Sequence, residues 1–260
     1  MTNDEVLFEA DGAIATVTFN RPEAHNAFNF AMEEGLGQAI GIVEKNSGIR
    51  VLIITGAGTK SFVSGSDIKE LSKRTTLSGI EVAARRQMLL NRIAGLPIPV
   101  IAAINGYAFG IGCEIAMACT FRLAAAQARL GQLEINLGII PGAGGTQRLS
   151  RLVGIAKAFE IILKGEIIDA QEACKIGVVN KVIPSDLLLT ECQQWAEILC
   201  EKSPIAIKFA IRAILGGADL DLSAGLEHER MCLGACFAST DSKEGLNAFI
   251  EKRKPIFTGQ

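Results

Sequence analysis

The chain has 260 residues, 49% hydrophobic and 21% charged, and its 26 Lys plus Arg against 28 Asp plus Glu leave a formal net charge of -2. A chain of this length and balance buries a large core in one or two domains without disulfides or a structural metal, and it presents no basic field for a phosphate backbone, which excludes nucleic acid as an expected partner. Two His, His25 and His228, leave little room for a metal, and seven Cys with no CxxC pair read as free thiols of a reducing compartment.

Residues 5–20 alternate around Asp11-Gly12 and predict a strand, a tight turn and a second strand. A polar loop follows, then a helix over 30–46 and a buried strand at RVLIITG, 50–56. Small polar residues and Gly from 56 to 67 predict a loop leaving a strand end, ahead of a helix over 79–95. Pro97 and Pro99 bracket a break before the apolar strand VIAAING, 100–106; residues 106–112 read as a turn and 112–120 as a helix. Beyond 142 the pattern is helical, apart from a strand at 177–183. Alternating strands and helices predict a mostly parallel sheet with ligands at the strand ends. With 5% aromatic residues the expected core is aliphatic. The acidic MTNDEVLFEADG start and the interrupted apolar runs carry neither a signal peptide nor a membrane span, so the expectation is a cytoplasmic protein with no membrane partner.

Two carboxylates stand alone in apolar segments. Glu114 is the only charge between Tyr107 and Phe121, and on a helix it neighbours Gly110, Ile111, Met117 and Ala118. Burying it unpaired costs several kcal/mol unless it is hydrogen-bonded or protonated, and a raised pKa suits a general acid or base. The plainer reading is a first-turn Glu set against the helix dipole. Glu134 is the only charge between Arg129 and Arg148; its plainer reading is an exposed loop carboxylate or the first residue of a short helix. Together the two can divide acid and base work. The turn into the helix at GYAFGIGCEIA leaves amides free to meet a developing oxyanion, and VSGSDI offers a second donor. GAGTKS lacks the spacer of a P-loop, Gly110 and Gly112 lack the third Gly of a dinucleotide fingerprint, and no GxSxG elbow or His-assisted nucleophile is present.

The stretches NRPEAHNAFN (20–29), ITGAGTKSFVSGSDIKEL (54–71), IAAINGYAFGIGCEIAMAC (101–119), LGQLEINLGIIPGAGGTQRLSRLVG (130–154) and DSKEGLNAFIEKRKPIF (241–257) together resemble the enoyl-CoA hydratase/isomerase, or crotonase, family. The resemblance implies an α/β fold: a spiral of ββα turns over 1–200 carrying the active site, and a helical region over 201–260 that builds homotrimers or dimers of trimers. It also implies Glu114 as the base for water and Glu134 as the proton source at the α carbon in hydration of a 2-enoyl-CoA to a 3-hydroxyacyl-CoA. The oxyanion donors are then the amides of Ser66 and Ile111. Coenzyme A, part of the substrate and no separate cofactor, is expected at Ala24, Ala27, Ser66, Asp67, Ile68, Lys69 and Ile111, with Phe249 and Lys252 contributed from a neighbouring subunit. On the residues alone, Lys69 and Lys252 are solvated charges. Three departures from the family pattern bear on the acyl pocket: Ile111 for a Gly, Ser66 for a frequent Ala, and Leu133 for a Pro. Competing readings are a Δ3,Δ2-enoyl-CoA isomerase, another crotonase chemistry on a special acyl group such as an alicyclic one, and a non-catalytic assembly protein on the same scaffold.

Overall fold

A computed structural model of the chain describes residues 3–260. Strands β1 (Val6–Asp11) and β2 (Ile14–Phe19) form the expected hairpin about Gly12, whose φ of 56° is left-handed. Helix α1 (Phe30–Lys45) starts where Asn29 accepts a hydrogen bond from the Met32 amide. It is followed by β3 (Val51–Gly56), β4 (Ser61–Val63), α2 (Ile68–Leu71) and α3 (Thr76–Ala94), the last opened by a reciprocal Thr75–Ser78 cap. Next come β5 (Val100–Ile104), β6 (Tyr107–Phe109), α4 (Ile111–Ala118), β7 (Phe121–Ala125) and β8 (Arg129–Gly131). The chain continues through α5 (Gly145–Val153), α6 (Ile155–Lys164), β9 (Ile168–Asp169), α7 (Ala170–Lys175), β10 (Lys181–Ile183) and α8 (Leu188–Cys200). Helices α9 (Pro204–Gly217), α10 (Leu222–Phe237) and α11 (Thr240–Ile250) end it.

The strands form two sheets, one of order β1-β2-β3-β5-β7-β10 and one of order β4-β6-β8-β9. Every residue of β3 and of β5 is buried, as expected of central parallel strands covered on both faces. Three times in succession the chain lays a strand in the large sheet (β3, β5, β7), a three-residue strand in the small one (β4, β6, β8), and then turns into helical structure. This repeat is a spiral, and it stacks the carboxyl ends of β4, β6 and β8 side by side in parallel register.

The small sheet departs from the sequence reading. Residues 56–67 are not all loop, because Ser61–Val63 forms β4, and 106–112 is not all turn, because Tyr107–Phe109 forms β6. Three residues are too few to display an alternating pattern, so only pairing with neighbours reveals them as strands. The strand expected over 177–183 is confined to Lys181–Ile183. Before it the chain turns at Gly177, whose φ is 84°, and the Asn180 side chain accepts a bond from the Arg122 amide.

The core is largely aliphatic, yet Phe19, Phe28 and Phe62 are fully buried and meet edge to face, with Phe19 6.0 Å from Phe28 and 5.7 Å from Phe62. Helix α8 covers the outer face of β3, β5 and β7, while α9 and α10 pack chiefly on each other. No helix among the described residues is long and apolar enough to cross a membrane.

Candidate active site

Strands β4, β6 and β8 of the small sheet each deliver one part of the site at the carboxyl end. After β4 the chain passes Gly65 to Ser66, which pairs with Phe28 in an isolated parallel bridge: the Phe28 amide donates to Gly65 O at 2.8 Å and the Asp67 amide to Phe28 O at 2.9 Å. Alternate peptide groups of an extended chain face opposite sides, so the Ser66 N–H points away from Phe28. It has no acceptor among the described residues. Asp67 then caps α2 by accepting from the Lys69 amide at 3.0 Å, and pairs with Arg21 at 3.4 Å.

After β6 the chain turns at Gly110 (φ 50°) into α4, whose first amide, that of Ile111, also has no acceptor among the described residues. Two glycines make this approach feasible. A Cβ on Gly110 would lie 2.6 Å from Glu134 Oε1, and one on Gly112 would lie 2.1 Å from the Val63 carbonyl oxygen of β4. Close packing of α4 on β4 thus sets the free amides of Ser66 and Ile111 on neighbouring strand ends.

Glu114, in the first turn of α4, is 2% exposed. Its Oε1 accepts from the Ala143 amide at 2.8 Å and the Gly145 amide at 2.7 Å, the latter opening α5. Burial pushes its carboxyl above the ordinary range, while those two amides, Arg86 and Arg148 pull it back. Glu134 begins the short 3-10 helix after β8. Burial, reinforced by the negative charge of Glu114, lifts its carboxyl to about 7, and its Oε2 is buried with no partner. Cys113, next to Glu114 in sequence, has its thiol raised to about 12, mainly by burial, and is no nucleophile at neutral pH.

The structure therefore brings Ser66, Ile111, Glu114 and Glu134 together. Ala24 and Ala27 lie in the loop before α1, held by Arg21 and Asn26: Arg21 Nη1 donates to the Ala27 carbonyl at 2.6 Å, and Asn26 Nδ2 to the Ser61 carbonyl at 2.8 Å. Ile68 and Lys69 are exposed on α2. Phe249 is 85% exposed and Lys252 follows the end of α11, which leans on α10; among the described residues neither side chain has a hydrogen bond or ion pair to the loops carrying Ala24 and Lys69. The plain reading of Lys69 and Lys252 as solvated charges matches this single chain.

Three groups escaped the sequence reading. Gln132 is 1% exposed with both side-chain polar atoms unpartnered, and its Oε1 crowds Gly145 together with Glu114 Oε1. Glu33 and Arg86, each 5% exposed, form a buried ion pair at 2.9 Å. Glu33 precedes a second acid and Arg86 follows a second base, so both resemble residues of a solvated helix face, and only burial distinguishes them.

The enoyl-CoA hydratase/isomerase family model matches residues 9–260. A short-chain-enoyl-CoA hydratase of Clostridium acetobutylicum is 43% identical over 98% of this chain and 97% of its own. A crotonyl-CoA hydratase of Syntrophomonas wolfei is 40% identical over 99% of both chains. The crystal structure of an enoyl-CoA hydratase from Bacillus anthracis superposes with a TM-score of 0.95 at 38% identity, covering 98% of this chain and all of that one, and so the folds agree turn for turn. Sequence and fold together place the chain in the enoyl-CoA hydratase/isomerase family, with the crotonase fold.

Proposed function

We propose that the protein hydrates a 2-enoyl-CoA to a 3-hydroxyacyl-CoA by syn addition of water. The observation that carries this reading is the unlike environment of the two carboxyls. Burial raises both carboxyls, but at Glu114 two amides, Arg86 and Arg148 oppose the rise, whereas Glu134, with a buried oxygen that has no donor, is lifted to about 7. In this reading Glu114 takes a proton from water as it attacks the β carbon, and Glu134 gives one to the α carbon. The thioester oxygen, enolate-like during the addition, accepts hydrogen bonds from the Ser66 and Ile111 amides, which stabilise the transition state more than the bound substrate.

The coenzyme A moiety is assigned to the loop of Ala24 and Ala27, to Asp67, Ile68 and Lys69, and to Phe249 and Lys252 of a neighbouring subunit. A homotrimer or dimer of trimers follows from this assignment, with 201–260 as the assembling region and 1–200 as the catalytic core. Assembly through 201–260 is supported by large exposed apolar side chains such as Met231 and Phe237 on α10 and Phe249 and Ile250 on α11, and Ile155, Phe159 and Leu163 on α6 offer the core a matching apolar face. A cytoplasmic setting is supported by seven free cysteines.

The test is hydration of crotonyl-CoA by the wild type and by Glu114→Gln and Glu134→Gln. Each substitution is expected to lower turnover on the order of 10²- to 10⁴-fold while butyryl-CoA still binds. Full activity of the double variant refutes the assignment. Incubation with a 3-enoyl-CoA in deuterated buffer, with products identified by mass, separates hydration from double-bond migration. Sedimentation across a concentration series reads the assembly.

A further inference from the structure

Arg86 is buried on α3 and makes three contacts, two of them to the residues of the Ser66 bridge. Its Nε donates to Glu33 Oε2 at 2.9 Å, its Nη1 donates to Ser66 Oγ at 2.8 Å, and its guanidinium carbon sits 5.2 Å from the centre of the Phe28 ring. Phe28 and Ser66 are the two residues of the isolated bridge that orients the free Ser66 amide. One buried cation thus grips both sides of it, by stacking on one residue and by a hydrogen bond to the other. Glu33 holds that cation from α1, and its second oxygen is bonded by Arg85, which is 44% exposed.

A buried ion pair is no economical source of stability, because desolvating both charges costs about as much as their attraction returns. Here it serves direction. An isolated bridge carries only two backbone bonds, and Gly65, with φ 121°, leaves its own segment pliant. The planar guanidinium fixes the Ser66 side chain, and through it the angle of the Ser66 peptide.

We propose that Arg86, oriented by Glu33, is a positioning residue that aims the Ser66 amide at the thioester oxygen through the Ser66 hydroxyl. The inference rests on the assignment of that amide as an oxyanion donor under the hydratase reading. It makes Ser66 more than a spacer and gives α1 and α3 a part in transition-state geometry.

The experiment compares wild type, Ser66→Ala, Arg86→Met, the Ser66→Ala/Arg86→Met pair, and Glu33→Leu/Arg86→Met, in which both buried charges leave together and the only ion-pair partner left behind is Arg85, which reaches solvent. Crotonyl-CoA hydration is measured beside calorimetric affinity for butyryl-CoA and for S-butyl-CoA, a thioether that lacks the carbonyl. Arg86→Met is expected to lower kcat on the order of tenfold, with KM changed less than about twofold. Because the positioning effect passes through Ser66, the Ser66→Ala/Arg86→Met pair is expected to lose clearly less than the product of the two single losses, the part of the Arg86→Met loss not shared with Ser66→Ala coming from the attraction of Arg86 for the Glu114 carboxylate. The preference for thioester over thioether falls in all four variants.

Additive losses, a change in KM alone, or wild-type kcat in Glu33→Leu/Arg86→Met overturn the proposal. A wild type that hydrates crotonyl-CoA while its variants keep the thioester preference refutes the positioning role only. A wild type that fails to hydrate, yet prefers the thioester and loses that preference in the variants, refutes the hydratase reading and supports the positioning role.

Discussion

Glu134→Gln is expected to stabilise the fold at alkaline pH while it lowers hydration on the order of 10²- to 10⁴-fold. An unfolded Glu releases its proton near 4.5, whereas the folded Glu134 retains it to about 7 because its carboxyl is desolvated and faces Glu114. Between those values the folded state binds more protons than the unfolded one, so this group's contribution to stability declines as pH rises and is lowest above 7. Each tenfold change in proton affinity corresponds to about 1.4 kcal/mol, which caps the cost at about 3 kcal/mol; partial exposure of the carboxyl lowers it to about 1–2 kcal/mol. Gln carries no charge at either extreme. The melting temperature of Glu134→Gln minus that of wild type is therefore expected to rise by roughly 2–6 °C between pH 5 and pH 8 for a chain of this size. Scanning calorimetry of both proteins at the two pH values reads the difference, and comparing pH values cancels any packing change from the amide. A difference that does not grow with pH refutes a buried, proton-retaining Glu134.

Gly110→Ala forces a Cβ onto a φ of 50° and within 2.6 Å of Glu134 Oε1, so it is expected to displace that carboxyl and lower hydration on the order of 10²-fold, with butyryl-CoA affinity nearly intact by calorimetry. Gly112→Ala is expected to be far harsher: the new Cβ meets the backbone oxygen of Val63 at 2.1 Å, which cannot swing aside, and the loss of about 3 kcal/mol or more is read by urea denaturation. Asp241, 2% exposed, accepts from Ser203 Oγ at 2.7 Å and from the amides of Thr258 and Gly259 at 2.8 and 3.1 Å. Asp241→Ala is expected to cost about 2–3 kcal/mol and to strip the Thr258 and Gly259 amides of protection in hydrogen exchange.

Strands β1, β2, β3 and β5 of the large sheet were legible because the first two alternate about a turn and the others are continuous apolar runs bounded by Gly or Pro, whereas β7, interrupted by Arg122, was not read as a strand and β10 was read too long; the two carboxylates were legible because no other charge stands near them in sequence. The small sheet was not legible, and the reason is physical: β4, β6 and β8 are three residues each, too short for an alternation of buried and exposed positions to repeat. Yet those strands align the four site residues, so the positions could be named without the element that assembles them. The Glu33–Arg86 pair was invisible for another reason. Its members are 53 residues apart, and each sits in a helix among other charges, where a polar residue is expected to face water. The Phe19, Phe28 and Phe62 cluster likewise arises from folding distant segments together and leaves no local pattern in a chain with few aromatics.

Two carboxyls of identical chemistry are separated here chiefly by what surrounds them. Desolvation raises both, so burial alone would leave them rivals for one proton. The backbone breaks the tie: the loop from Gly138 to α5 turns two amides onto Glu114, whereas Glu134 has a buried oxygen with no donor and the negative charge of Glu114 beside it. Arg86 and Arg148 add to the same bias from α3 and α5. Under the hydratase reading, the two amides supplied by residues 138–145 mark Glu114 as the carboxylate that takes the proton of water and leave Glu134 as the donor. Losing an amide donor to Glu114 would raise its carboxyl further and blur the two roles even with both carboxyls in place.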